Sequence, residues 1–168
     1  MTILRDKSIE KLSNIAVIVV AVVIIFSFLR HDFGSSNRSN PAFKASTVHL
    51  TSITNTPSKL NVVLGISTTC RFCEKNMGFY KKLSGLETPD KIAFYTIFPQ
   101  PREEANSFLQ QKGIHPTGVI SSPLSEYSIM GTPTLLLVNS AGKVEHSWVG
   151  ALDSTRQAEV LQQIQQNN

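Results

Sequence analysis

The hydrophobic positions form one unbroken run near the N terminus and several shorter runs after residue 59. The first run spans residues 12–29 and ends in "IAVIVVAVVIIFSFL", which carries no charge and shows no polar face. A helix buried in a soluble protein would keep a polar stripe, whereas an uncharged, mostly apolar run of about 18 residues approaches the length that crosses a bilayer. The pattern predicts an N-terminal transmembrane signal anchor at 12–29.

The charges around this run predict its orientation. Arg5, Lys7 and Lys11 precede it, and the nearest basic residue after it is Arg30. The positive-inside rule therefore favours a cytoplasmic N terminus and places the C-terminal part outside the cytoplasm, in a bacterial periplasm. A cleaved signal peptide is the alternative, but the residues after the run offer no clear small-x-small cleavage site.

The remaining chain divides into a tether and a domain. Residues 1–11 form the cytoplasmic segment, and residues 30–47 are rich in Ser and Asn, which is typical of a flexible tether. Residues 48–168 are long enough for one compact domain with a hydrophobic core. The sequence thus predicts a single-pass membrane protein with one folded domain.

Within that domain, apolar β-rich runs alternate with amphipathic segments. Glycines at 85 and 113 and an Asp at 153 supply helix stop and start signals. The apolar positions from Phe72 to Leu83 follow helical spacing. This order predicts an α/β fold in three layers, a central mixed sheet with helices on both faces. Strands are predicted at 60–67, 91–98, 134–139 and 143–150, and helices at 70–85, 101–113 and 153–166.

Composition narrows the chemistry. The formal net charge is +4, without a basic run or interleaved aromatic residues, so nothing supports nucleic-acid binding. The two cysteines of the chain, Cys70 and Cys73, stand in one CxxC motif, "STTCRFCEKN". The motif lies at the predicted junction between a strand and the following helix.

A cysteine at that junction is expected to be reactive. Unpaired N–H groups and the helix dipole favour an anion at a helix N terminus, so the pKa of the Cys70 thiol should fall. Arg71 can add positive charge there, and Glu74 is a second residue that could tune the site. Cys73 lies one turn further on, so that Cys70 would attack a disulfide and Cys73 would resolve the mixed disulfide.

Three other uses of the motif compete with a redox couple. A structural disulfide usually closes a longer loop, because a short loop restrains the unfolded chain little. A closed zinc site needs four ligands, and the four histidines (residues 31, 49, 115 and 146) show no paired spacing. A peroxidase site of the peroxiredoxin type would have Pro at position 63, where this chain has Val63. No metal or other cofactor is predicted.

A second motif, "MGTPTLLLVNSAGKV", begins at Met130, about 60 residues after the cysteines. Together with the CxxC motif it resembles the thioredoxin superfamily, most closely the membrane-anchored TlpA-type thiol–disulfide oxidoreductases, over about residues 60–164. The resemblance implies a thioredoxin-like fold with Cys70 as nucleophile and Cys73 as resolving thiol. It also implies that Pro133 is a cis-proline beside the disulfide and that Thr132 binds substrate through its backbone.

The chain departs from this family at three places. Thr69 stands where an aromatic residue usually precedes the first cysteine, and Arg71-Phe72 replaces a dipeptide that usually contains Pro. Leu64 occupies the strand position where thioredoxin buries a carboxylate. We interpret Glu74 as a solvated helix residue, Trp148 as a packing residue and His146 as exposed.

The sequence therefore predicts a membrane-tethered thiol–disulfide oxidoreductase acting on cysteines of exported proteins, as reductant rather than oxidant. It would need a membrane protein as electron partner. The alternative is a non-catalytic interaction module in which Cys70–Cys73 is a permanent structural disulfide, because the aromatic residue and the buried carboxylate are both missing.

Overall fold

The computed structural model describes residues 58–167 and, apart from these, Val20 alone. None of the helices in this described part is long and apolar enough to cross a membrane. The predicted cytoplasmic segment 1–11, the transmembrane segment 12–29 (Val20 excepted) and the tether 30–47 lie outside the described residues.

The described residues form a five-stranded mixed sheet with the strand order β3-β2-β1-β4-β5. β1 is parallel to β2, and β2 is parallel to β3, whereas β4 is antiparallel to both β1 and β5. The strands are β1 (Leu60–Gly65), β2 (Ile92–Phe98), β3 (Gly118–Ser121), β4 (Thr134–Asn139) and β5 (Val144–Val149).

Four α-helices and one 3₁₀ helix connect or follow these strands. Asp153 caps the last α-helix by accepting a hydrogen bond from the Arg156 N–H, and Gly113 ends the third in a left-handed conformation, as the sequence predicted. The helices are α1 (Arg71–Glu74), α2 (Met77–Ser84), α3 (Arg102–Lys112), the 3₁₀ helix (Leu124–Tyr127) and α4 (Ser154–Gln166).

Two hydrophobic clusters cover the two faces of the sheet, and β1 and β2 are buried on both. The buried apolar side chains of α2, α3 and α4 all belong to the first cluster, together with Leu64 and Phe94. Right-handed β-α-β connections between successive neighbours place their helices on the same face, which accounts for α2 and α3. On the second face, described side chains from the 3₁₀ helix and Ile129 pack against the sheet.

The mixed sheet with flanking helices confirms the predicted fold class, but three local predictions were wrong. The single helix predicted at 70–85 is two helices, α1 and α2, separated at Lys75 and Asn76. The strand β3 was not predicted, because it is short, half-buried and at the edge of the sheet. Phe72, assigned to the apolar helix face, is 59% exposed.

Candidate functional site

The sheet brings the two sequence motifs to the same edge. β1 ends at Gly65, which pairs with Thr134, the first residue of the antiparallel strand β4. Cys70 follows the end of β1 by five residues, and Pro133 directly precedes β4. Two segments therefore meet at this edge: the Cys70 turn (residues 66–70) and the Thr132 segment (residues 129–133).

The cysteines are joined in a disulfide and lie in unequal environments. Their Cα atoms are 5.3 Å apart. Cys70 is the N-cap residue of α1 and is half-buried, whereas Cys73 is fully buried in the first hydrophobic cluster. The backbone N–H of Cys73 donates to Cys70 Sγ at 3.1 Å. Cys70 is therefore the sulfur that an external disulfide or thiol can reach.

The helix that Cys70 caps is shorter than the sequence suggested. α1 has four residues, and Asn76 ends its regular geometry before α2 begins. A macrodipole is the sum of aligned peptide units, so a helix this short contributes little at long range. The electrostatic stabilisation expected for a Cys70 thiolate therefore comes from the local Cys73 N–H.

Asn76 anchors the helix pair to the segment that follows β5. Its side chain is 3% exposed, donates from Nδ2 to the Leu152 carbonyl at 2.7 Å and accepts from the Leu152 N–H at Oδ1 at 2.8 Å. The Asn76 side chain thus pairs with both the N–H and the C=O of Leu152, a buried residue between β5 and α4. Sequence analysis missed this role, although an Asn inside a helical pattern is itself a signal, because its amide competes for backbone hydrogen bonds.

A network of polar side chains holds the Cys70 turn. Ser67 Oγ accepts from Gln100 Nε2 at 2.7 Å and from the Thr69 N–H at 3.3 Å, and it lies 3.1 Å from Thr69 Oγ1. The Cys70 N–H donates to the Ser67 carbonyl at 3.1 Å. Thr68 Oγ1 donates to Glu104 on α3. The turn is therefore tied to the residues that follow β2 as well as to itself.

Gln100 was also missed by sequence analysis. It follows β2, the parallel neighbour of β1, and the ends of parallel strands share one edge of a sheet. Its position two residues after β2 was the signal that could have suggested a contact with the Cys70 turn.

The Thr132 segment is bound differently. The Thr132–Pro133 peptide bond is cis, the conformation that the resemblance implied for Pro133. The Pro133 carbonyl accepts from the Gly150 N–H at 2.8 Å, and the Gly131 carbonyl accepts from Thr134 Oγ1 at 2.7 Å. Between residues 58 and 167, neither the N–H nor the C=O of Thr132 has a hydrogen-bond partner. This half-buried residue thus presents two unpaired backbone groups.

The Thr132 segment packs closely against the end of β1, directly before the Cys70 turn. A Cβ atom placed on Gly65 would lie 2.7 Å from Ile129 Cδ1 and 3.2 Å from Ile129 Cγ2. Ile129 is 2% exposed and belongs to the second hydrophobic cluster. Gly65 is therefore required because Ile129 occupies the space that a side chain would need.

Large apolar side chains are exposed beside both segments. Among residues 58–167, the large hydrophobic side chains that are exposed are those of Phe72, at 59%, and Met130, at 89%. Phe72 lies between the cysteines, and Met130 lies three residues before Pro133. Lys75 Nζ lies 5.6 Å from the centre of the Phe72 ring, within the range of a cation–π interaction.

The two predicted tuning residues point to solvent. Arg71 is exposed, and Glu74 Oε1 lies 2.8 Å from Lys112 Nζ in an ion pair whose Glu74 side chain is 58% exposed. Leu64 is fully buried, and no carboxyl group of residues 58–167 is buried. No described carboxylate can therefore take the Cys73 proton from within the core.

Three further observations complete the site. Trp148 is buried, as predicted, and His146 stacks on it with ring centres 5.8 Å apart, half-buried rather than exposed. Trp148 belongs to the same hydrophobic cluster as Cys73. In the described part of the chain, no group of three or more His, Cys, Asp or Glu side chains could hold a metal ion.

No family model and no curated protein matches this chain. Its structure is similar to StoA from Bacillus subtilis, with 19% identity, a TM-score of 0.52, and coverage of 66% of this chain and 84% of StoA. A thiol:disulfide interchange protein from Bacteroides sp. has 17% identity and a TM-score of 0.55, with 67% and 78% covered.

A third similar structure is a secreted Mycobacterium tuberculosis disulfide oxidoreductase homologous to E. coli DsbE. It has 14% identity and a TM-score of 0.51, with 64% of this chain and 81% of that chain covered. At these identities the similarity shows that the fold is thioredoxin-like. The neighbours themselves are thiol–disulfide oxidoreductases.

Proposed function

We propose that this protein is a membrane-tethered thiol–disulfide oxidoreductase that exchanges electrons with cysteines of exported proteins. The observation that carries the proposal is the asymmetry of the disulfide. Cys70 is accessible at a helix N-cap and Cys73 is fully buried, which separates an attacking thiol from a resolving thiol. A purely structural disulfide does not require one accessible sulfur.

In the reductant direction, the Cys70 thiolate attacks a substrate disulfide, and a Cys70–substrate bond forms as the substrate S–S bond breaks. The first substrate sulfur leaves as a thiolate and takes a proton from water. Cys73 then loses its proton to solvent and attacks Cys70 Sγ, which releases the second substrate sulfur. The substrate gains two electrons and two protons, and the protein acquires the Cys70–Cys73 disulfide.

Substrate would bind across the Thr132 segment. The unpaired N–H and C=O of Thr132 can pair with an extended peptide in the manner of an added strand. Phe72 and Met130 supply apolar contact on either side of that peptide. Large exposed apolar side chains on the residues that flank a site can supply an interaction surface, which supports a polypeptide substrate.

The tether and the electron partner rest on the sequence. The uncharged run at 12–29 and the basic residues before it support an anchor with the domain outside the cytoplasm. A reductant in that compartment needs a membrane dithiol to reduce Cys70–Cys73 after each turnover. A reporter fused after Asn168 should be active only outside the cytoplasm, and cytoplasmic activity would contradict this topology.

A trapping experiment tests the exchange itself. In the full chain, Cys73→Ser should accumulate mixed disulfides through Cys70 that a reducing gel resolves, and the matched Cys70→Ser variant should trap none. A redox titration of the parent should give a potential between about −120 and −270 mV, the range of exchange proteins. A potential far below about −300 mV with no trapped species would favour the non-catalytic module with a structural disulfide.

A further inference from the structure

Ser67 Oγ is the centre of the hydrogen bonds in the Cys70 turn. A hydroxyl has two acceptor lone pairs and one hydrogen. Its lone pairs are used by Gln100 Nε2, at 2.7 Å, and by the Thr69 N–H, at 3.3 Å. The Ser67 hydrogen must therefore donate to Thr69 Oγ1, 3.1 Å away. The hydrogen bonds therefore run in one direction, in which Gln100 donates to Ser67 and Ser67 donates to Thr69.

This direction determines what Thr69 can do. Its hydroxyl oxygen accepts from Ser67, so its own hydrogen is not used within the turn. Thr69 is exposed and directly precedes Cys70. A hydroxyl donor is thus available on the exposed residue directly before the reactive cysteine. Hydrogen bonds to a charged acceptor are stronger than those between neutral groups.

Gln100 is held beside the Cys70 turn by its backbone as well as by its amide. Its backbone carbonyl accepts from Ser121 Oγ at 2.6 Å, which ties this residue to β3. Its Oε1 atom is buried without a hydrogen-bond partner among the described residues. Reversing the amide would place both Nε2 hydrogens in that position and would make Ser67 the donor. Each arrangement leaves two hydrogen-bonding positions of the amide unpaired, Oε1 and one Nε2 hydrogen as observed and both Nε2 hydrogens if reversed; the observed orientation is the one in which Gln100 donates to Ser67.

We propose that Gln100 is a positioning residue of the redox site: by donating to Ser67 it directs the Thr69 hydroxyl hydrogen toward the sulfur exchanged at Cys70. This inference rests on the proposed function, because the role of Gln100 matters only if Cys70 exchanges disulfides. The experiment that tests it does not depend on that function. It gives Thr69 a role at the position where the family usually has an aromatic residue.

The test measures the reactivity of Cys70 directly. In the full chain carrying Cys73→Ser, the rate of alkylation of Cys70 is recorded against pH. Gln100→Ala and Thr69→Val should each lower the rate at pH 7 about threefold to tenfold and move the midpoint of the profile to higher pH. Ser84→Ala and Thr88→Ala are the matched controls, since they remove side-chain hydrogen bonds outside the turn and should leave the profile unchanged.

A double-mutant cycle separates this role from general loosening of the turn. If Gln100 acts through Thr69, then Gln100→Ala should have no further effect in the Thr69→Val background. Ser67→Ala removes the hydroxyl that links Gln100 to Thr69. It replaces Gln100→Ala in the test if that variant does not fold. An unchanged profile in Gln100→Ala and Ser67→Ala, or additive effects with Thr69→Val, would overturn the proposal. Since alkylation needs no substrate, this result is independent of the trapping experiment.

Discussion

The Cys70 turn and the Thr132 segment lie at the same edge of the sheet but are stabilised in different ways. Side-chain hydrogen bonds from Ser67, Gln100 and Glu104 hold the Cys70 turn. The Thr132 segment is fixed by the buried Ile129 and by the Pro133 carbonyl, while Thr132 keeps two unpaired backbone groups. The difference indicates a division of roles: one segment fixes a sulfur, and the other is left open for a partner.

The largest expected effect comes from the anchor behind the Cys70 turn. Asn76→Ala removes two buried hydrogen bonds and leaves the Leu152 N–H unpaired, while Gln157 Nε2 still donates to the Leu152 carbonyl. We expect the free energy of unfolding, measured by urea denaturation, to fall by about 3 kcal/mol. Asn76→Asp keeps the acceptor for the Leu152 N–H but places a buried carboxylate oxygen against the Leu152 carbonyl, so it should lose at least as much. A loss below about 0.5 kcal/mol in Asn76→Ala would show that the anchor is unimportant.

The next effect is expected where the Thr132 segment packs against the end of β1, directly before the Cys70 turn. Gly65→Ala places a Cβ 2.7 Å from Ile129 Cδ1, and the buried Ile129 must move. We expect a loss of about 1–3 kcal/mol in the free energy of unfolding. The matched control is Gly78→Ala on α2, where a Cβ would meet nothing within 4 Å. That variant should gain about 0.5–1 kcal/mol from helix propensity. Equal stabilities in the two variants would contradict the close contact.

A third prediction concerns the open segment. Because Met130 is 89% exposed, Met130→Ser should change the free energy of unfolding by less than about 0.5 kcal/mol. It should nevertheless raise KM severalfold for a disulfide peptide with apolar residues beside its cysteine, and Phe72→Ser should act in the same direction. Lys91→Ser, an exposed change outside both segments, is the control. Unchanged KM values in both variants would show that Phe72 and Met130 do not contribute to substrate binding.

The smallest effect is expected at the exposed ion pair between Glu74 and Lys112. Exposed pairs of this kind contribute about 0.2–1 kcal/mol, and less at high salt. If Glu74 does not act on the cysteines, Glu74→Gln should change the reduction potential by less than about 10 mV. Lys112→Ala should behave in the same way. A larger shift in Glu74→Gln alone would restore this residue as a tuning group.

The regular elements could be predicted because their signals are local. β4 was predicted with its observed bounds, Thr134–Asn139, and Asp153 was identified as the cap of α4. Continuous apolar runs indicated strands that are buried on both faces, and β1 and β2 are buried in this way. The edge strand β3 gave no such run, since only part of each residue is buried.

The break at Asn76 and the network at Gln100 could not be predicted in the same way. The partner of Asn76 is Leu152, 76 residues away, and the partner of Gln100 is Ser67, 33 residues away. Neither separation follows a helical or strand period, so no pattern in the sequence connects these residues. Phe72 shows the converse error, because its spacing fitted a helix face that the break at Asn76 removes.

By itself, the sequence determined the pair of cysteines, the strand-and-helix order and the Thr132–Pro133 motif, because short-range spacing and side-chain chemistry carry that information. The tertiary structure decided which sulfur is accessible, which residues hold the Cys70 turn and which side chains remain exposed beside it. Those properties depend on which strand ends share an edge of the sheet. Only the packed sheet places Gln100 next to Ser67 and Ile129 against Gly65.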